Sequence, residues 1–472
     1  MVGSGPNGLA AAARLARAGL DVTVLEASAT LGGGARSSEM IVPGLIHDHC
    51  SAFHPLPTVS PLFVQLGLAA GGPIRWLQPE VDCAHPLDDG TVGLLYRSLE
   101  RTAEAMGDAG VRWQQVFGRP SNRFDELFSD VSQPVLRLPR HPLTLARFGV
   151  GAALPATVVA RAMKSPEAKA LWTGVAAHAF TRLDRPMSSA VGMMLVAAAH
   201  ASGWVVAEGG SGSIVDALVA DIQRHGGTLE TGSRVNSVSD LPPHDVLMLD
   251  VSPSIAADIL GDRLPARVAR DYRKFRHGPG AFKVDFAIEG DVPWTATAAS
   301  RAGTVHLGGT AAEIVANELD VYHGIMPDRP FVLVGQQYLV DPTRSVGNVN
   351  PLWTYAHVPN GYSGDATEAI ITQIERFAPG FRSQVVGTAV RSTTEMSAYN
   401  ANYIGGDIIG GASTVQQLLF RPRFSTDPYF TGVDGAYLCS ASTPPGAGVH
   451  GMCGANAADR ALSQLQGKGR FN

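Results

Sequence analysis

Cysteine is scarce in this chain, with four in 472 residues: Cys50, Cys83, Cys439 and Cys453. None forms a C-x-x-C or any other close pair, which argues against a zinc site and against a redox-active dithiol, and no metal site is expected. Charge is also sparse, at 17% of residues. The 37 basic residues are outnumbered by 42 acidic ones, for a net charge of −5, and no Lys or Arg block stands out. Nucleic acid is therefore not an expected partner. Long apolar runs are missing. The runs at 148–160 and 190–201 fall short of the roughly 18 to 20 residues that a membrane-spanning helix needs, and Pro155 interrupts the first. That first run reads as a core helix, with tunnel lining or contact with a membrane surface as the alternatives. Internal repeats and low-complexity linkers are absent too. At 45% hydrophobic residues the chain is globular, and by the prior of about 100 to 200 residues per domain it suits two domains with a broad interface.

What is present begins at Gly3-Ser-Gly5-Pro-Asn7-Gly8. In a βαβ unit Gly3 permits the tight turn, Gly5 lets backbone amides approach a diphosphate, and Gly8 lets the helix pack against the strand. The Ala-rich stretch from Leu9 to Ala18 reads as that helix, with Gly19 as its left-handed cap and its N-terminus offering free N–H groups to an anion. Val22, Val24 and Leu25 form a buried strand that ends in Glu26, placed to accept hydrogen bonds from ribose hydroxyls. An acid there disfavours a 2′-phosphate, so FAD or NAD is expected rather than NADP. Only Met1 and Val2 precede the turn, where about five or six strand residues are usual. Either the sequence begins downstream of the natural start or the first strand is cut short, and both would weaken FAD retention. With the turn at the N-terminus no signal peptide can be read, and a cytoplasmic location is expected, free or peripheral to a membrane.

Leu31-Gly32-Gly33-Gly34-Ala35-Arg36-Ser37 follows directly. Gly33 and Gly34 give backbone that can lie against a cofactor, and Arg36 a cation that can face its phosphates. The run resembles the second signature of the large FAD-dependent family that includes amine oxidases and phytoene desaturases, which favours FAD.

Farther along, Gly209 to Ser213 leads into a helical stretch from Ile214 to Arg224. Thr228–Thr231 and the run Asp245–Asp250 read as strands, and Val235, between them, is a further expected cofactor contact. From about Asp271 to Tyr403, strands at 281–288, 331–334 and 353–357 and a helix at 367–377 suggest an antiparallel sheet with helices on one side. The expected fold class is α/β: a Rossmann-like FAD-binding domain with a discontinuous α+β substrate domain. The nucleotide domain takes 1–70, 205–265 and 420–472, and the substrate domain 71–204 and 266–419.

The segment Gly435 to Ala457 reads as a strand, a Gly/Pro loop and an Ala-containing helix. It resembles the C-terminal flavin-binding motif of phytoene desaturase-like flavoproteins, including the branch of pyridine nucleotide-disulphide oxidoreductase domain-containing proteins, and with the earlier motifs the resemblance spans essentially the whole chain. It implies that Val449, His450, Gly451 and Met452 neighbour the isoalloxazine, with a helix N-terminus favouring the reduced ring. Ser440-Ala441 stands where many relatives carry Gly-Asp, so that contact must be rebuilt. The resemblance implies an FAD-dependent dehydrogenase that transfers hydride from an apolar small molecule to flavin N5, with oxygen or a quinone as electron acceptor. An amine oxidase and a non-catalytic flavin-binding interaction protein are the alternatives. His450 is a weak acid–base candidate. His178, Tyr399, Asp407, Arg421 and Arg423 are further candidates to line or gate a cavity, and Pro293-Trp294 and Trp353-Thr-Tyr355 could supply aromatic walls.

Overall fold

The structure, a computed structural model, describes residues 1–467. One part is a parallel sheet of short segments. Thr23–Leu25 pairs with Thr228–Glu230, and Leu247–Leu249 pairs with Ala436–Leu438, both in parallel. Between the pairs lies Val2 alone, bridged to Leu25 on one side and Leu249 on the other. Its N–H donates to Met248 O at 2.9 Å and its carbonyl accepts from Asp250 N at 2.8 Å. Among the described residues, Val2 is the one central residue of the sheet and is held on both edges. The spatial order, third, second, first, fourth, fifth, is that of a doubly wound nucleotide-binding sheet.

The helix after the glycine turn is Pro6–Arg17 rather than 9–18. It starts earlier because Pro6 sits at the first helical turn, where its missing N–H costs nothing and its fixed φ suits the helix. Gly19 follows with φ +86°, and its N–H donates to Ala16 O at 2.9 Å. Leu9 to Ala13 are fully buried, packed against the helices Gly212–Arg224 and Met452–Gly467. The contact with the last helix is close enough that a Cβ on Gly454 would collide with Asn7 O.

The other part is built on a seven-stranded sheet in the order Val385–Arg391, Gly280–Glu289, Val349–Val358, Val332–Gly335, Ala302–Leu307, Val81–Pro86, Val92–Leu95. Every pairing is antiparallel except Ala302–Leu307 with Val81–Pro86. The strands anticipated at 281–288 and 353–357 are longer, because the two pair along ten consecutive positions. The helix Thr367–Phe377 lies where the sequence placed it. The apolar run 148–160 is divided between the helices Pro142–Ala152 and Ala156–Ala162, bent by 91°, with Pro155 as N-cap of the second. No single helix among the described residues is long and apolar enough to cross a membrane.

Candidate active site

The glycine turn is closed from behind by an acid the sequence did not flag. Asp250, one residue past the strand Leu247–Leu249, directs Oδ2 at the helix start, where it accepts from Gly8 N at 3.0 Å. Gly3 holds φ +90°, and a Cβ on Gly8 would fall 2.8 Å from Asp250 Oδ2. Burial raises the Asp250 carboxyl to about 7; the Gly8 amide opposes the shift and nearby Glu26 adds to it. Gly5 at the helix start supplies no side-chain cap of its own, so Asp250 takes one first-turn amide from outside the helix.

Glu26 and Arg36 are bound to their own chain. Glu26 Oε2 accepts from Ser4 N at 2.9 Å and Ser4 Oγ at 2.6 Å, and Oε1 from Ser28 N at 2.9 Å and Arg36 Nη2 at 3.4 Å. Each oxygen thus already has two donors, and a ribose here must displace one. Arg36 also donates to the carbonyls of Thr30 and Leu31. It therefore braces the loop that leads into Gly33 and Gly34, and its guanidinium lies over the Tyr399 ring at 5.2 Å. Tyr399 in turn donates to Gly33 O at 2.6 Å.

In front of the turn lies a cavity of about 340 Å³ lined by residues from both parts of the fold. Of the expected cofactor contacts, Gly5, Asn7, Gly34 and Val449 line it; Gly3, Gly8, Glu26, Gly33 and Arg36 shape the loops behind. Val235 instead packs in an apolar cluster with Val2, Leu25 and Leu247, in an irregular stretch rather than a strand. Gly451, at φ +68°, is wedged where a Cβ would lie 2.7 Å from Leu62 and 2.9 Å from Ala10, and Met452 starts the last helix inside the core.

His450 is a correction. It does not line the cavity: Nδ1 accepts from Met452 N at 3.0 Å and its carbonyl accepts from Ser60 Oγ at 2.6 Å. It caps the last helix, and burial pulls its pKa down to about 4. A neutral imidazole committed to a backbone N–H is no acid–base group for the cavity.

The far wall includes His178, Trp204, Leu333, Trp353 and Tyr355. His178 Nε2 lies 3.0 Å from His306 Nε2, and burial lowers His178 to about 3 and His306 far below its ordinary value. The two rings are therefore neutral, one donating and the other accepting. Trp353 and Tyr355, two apart on one strand, turn to the same face and meet edge to face, 5.0 Å between centroids at 89°. Trp294 sits elsewhere, its indole N–H on Gln336 Oε1 at 2.9 Å.

Asp407 is buried beneath one edge, where Ile408, Ile409 and Gly410 reach the cavity. It accepts from the backbone N–H groups of Gly278, Ile409 and Gly411 at 3.1, 3.0 and 2.8 Å and faces His277 Nδ1 at 3.1 Å. It organises this loop rather than touching a ligand. Arg421 and Arg423 are off the cavity, donating to Gln417 O and Ala441 O and to Phe430 O respectively. Ser440 and Ala441, at the position that departs from the common Gly-Asp, do line it. So do Asn400, Asn402 and Tyr403; Asn400 and Tyr403 stand against the second glycine run, where a Cβ on Gly34 would collide with Tyr403 Oη.

Residues 1–66 match the NAD(P)-binding Rossmann-like domain family. Over its whole length the chain is similar to the rat pyridine nucleotide-disulfide oxidoreductase domain-containing protein 2, at 23% identity across 99% of this chain and 93% of that one. A shorter stretch, 28% of this chain and 22% of the other, is 29% identical to one of the subunits of limonene dehydrogenase from Castellaniella defragrans. An oxidoreductase from Methanosarcina mazei superposes with TM-score 0.63 at 15% identity over 98% of this chain and 99% of that one. Putrescine oxidase with bound putrescine gives 0.59 at 16% identity over 98% of each. The fold is one that solved oxidoreductases share. Despite the rat relative's name, the four cysteines here are all buried and unpaired.

Proposed function

We propose that this protein is an FAD-dependent oxidoreductase of the dehydrogenase or desaturase type, acting on an uncharged, apolar small molecule. The observation that carries this is the shared cavity, which joins the N-terminus of the first helix, at Gly5 to Asn7, to a wall of aromatic and aliphatic side chains.

The residues present fit the nucleotide. Asn7 Oδ1 is buried with no hydrogen-bond partner among the described residues, and Asn7 faces the cavity, where a hydroxyl of the nucleotide would donate to that oxygen. Gly5 and Asn7 would hold the diphosphate, Gly34 would let it approach, and Gly448, Val449 and Ser440 would border the ring. When bound, FAD would supply the hydride-accepting N5. Asp250, with its carboxyl raised to about 7, is largely protonated below neutrality and then does not repel the diphosphate. On the far wall Trp204, Leu333 and Trp353 exclude water from the reacting carbon and orient it. Electrons leave to oxygen or a quinone.

Asp250 is the one carboxylate among the described cavity-lining residues, and it lies on the nucleotide side. A substrate ammonium would find no counter-ion at the far wall, which favours a hydrocarbon-like substrate; the partial similarity to a limonene dehydrogenase points the same way. A specific observation also supports a second reading, an amine oxidase: Trp353 and Tyr355 give the cavity wall an aromatic surface against which a neutral amine could pack.

The test is to reconstitute the purified protein with FAD and add extract fractions and amines anaerobically, following the oxidised flavin band near roughly 450 nm. Bleaching by an apolar fraction is the expected result. Peroxide formed from amines selects the second reading, and a bound flavin that no fraction reduces leaves a non-catalytic flavin-binding protein.

A further inference from the structure

The segment from Val131 to Pro166 carries five basic residues, Arg137, Arg140, Arg147, Arg161 and Lys164, and no Asp or Glu, in a protein whose net charge is −5. All five are exposed, and among the described residues none is paired with a carboxylate. The same segment holds seven of the sixteen large apolar side chains that are exposed among the described residues, led by Leu138 at 90%, Val150 at 72% and Leu143 at 71%.

The local fold puts these side chains outside. In the helix Pro142–Ala152, Phe148 and Ala152 are buried, whereas Leu143, Ala146, Arg147 and Val150 recur at the i, i+3, i+4, i+7 spacing of the opposite face. Pro155 then turns the chain by 91° into Ala156–Ala162, whose Val158 is exposed again. Burying apolar side chains that water now covers is favourable by about 25 cal/mol per Å². The interspersed arginines select what does the burying: a surface that is apolar below and negatively charged above.

We infer that residues 135–158 are a docking surface for an anionic phospholipid bilayer, with Leu138, Leu143 and Val150 inserted among the acyl chains and Arg137, Arg140 and Arg147 at the phosphates. Two of the flanking acids are already engaged. Asp130 is buried and spent on the backbone N–H groups of Arg140 and His141 at 2.7 Å each, and Glu126 is held by Arg123 and Thr144. The surface is one helix removed from the cavity: Pro142–Ala152 packs on Ser189–Ser202, whose Val191 and Leu195 line it. Docking would bring a membrane-dissolved molecule close to the far wall.

Flotation of the full-length protein with vesicles tests this and needs no turnover. The protein should float with vesicles of phosphatidylcholine mixed with phosphatidylglycerol, much less with phosphatidylcholine alone, and less at high salt. Arg137→Ser/Arg140→Ser/Arg147→Ser should weaken binding by about fivefold per arginine. Leu138→Ser/Leu143→Ser/Val150→Ser should abolish it, while Ile325→Ser, an exposed apolar position elsewhere, should not. Absence of flotation with the mixed vesicles, or flotation indifferent to both triple variants, overturns the proposal. So does a concentration-dependent dimer in sedimentation that the leucine and valine variant dissociates, since a second copy would then be what covers this face.

Discussion

Asp250 Oδ2 lies 3.0 Å from Gly8 N, so a carboxyl at the end of one strand accepts the amide of a turn 242 residues earlier in the chain. Its raised pKa has a definite effect on stability. In the unfolded chain Asp250 deprotonates near pH 4, whereas in the fold it keeps its proton to about 7. The folded state therefore binds more protons across that window, and its stability falls as pH rises through it. Asp250→Asn should remove that slope and, above pH 8, exceed the native protein by roughly 2 to 4 kcal/mol. Urea unfolding at pH 5 and pH 8 measures it; an unchanged slope would mean that another group carries the pH dependence.

Arg344 is a buried crosslink. It donates to Asp48 and, at 2.8 Å each, to Asp341 and Ala207 O, and Asp48 itself accepts from Ser37 Oγ and Ser211 N. Arg344→Met would strand two buried carboxylates. A loss of about 3 to 5 kcal/mol is expected, visible as a lowered melting temperature that is partly regained at low pH.

Gly34 and Tyr403 are sterically coupled. Gly34→Ala should cost about 1 to 3 kcal/mol by overpacking against the phenol. Adding Tyr403→Phe removes the colliding oxygen, so the double variant should be more stable than the sum of the two single changes predicts. Strict additivity in a double-mutant cycle would refute the coupling.

Asp407→Ala should leave two buried backbone N–H groups, of Gly278 and Gly411, and the partly buried one of Ile409 without an acceptor, at about 1 to 3 kcal/mol for each buried one before relaxation. Because Ile408 to Gly410 border the cavity, FAD uptake should weaken along with thermal stability, and limited proteolysis should find new cleavage between residues 404 and 412. Cleavage unchanged from the native pattern would contradict an organising role.

The nucleotide half was legible because its signals are local. The glycine spacing, the acid after an apolar strand and the glycine after an Ala-rich helix each act within a few residues of one another. Trp353 and Tyr355 could be read as a wall because alternation along a strand puts them on one face. What escaped was everything assembled from a distance: Asp250 beneath the turn, Tyr399 on Gly33 O 366 residues away, and the pairing of His178 with His306 across 128. His450 misled for a related reason. Its motif is that of a cofactor loop, yet which way its ring points is decided by the unpaired N–H groups of the helix that follows. Val235 had an apolar neighbourhood that suits a cofactor contact and a core position equally well.

The grip on Val2 from both sides has a consequence for how the protein comes to be folded. The sheet has no centre until Val2 is gripped by both Leu25 and Leu249, and its fifth segment, Ala436–Leu438, comes from far along the chain. Pairings so distant in sequence are slow to find. The seven-stranded sheet lies entirely within residues 81–391, so its pairings do not wait for Val2 or Ala436–Leu438. The dinucleotide turn therefore sits in the part of the fold whose strand pairings span the greatest distances along the chain, and that part is expected to close after the seven-stranded sheet.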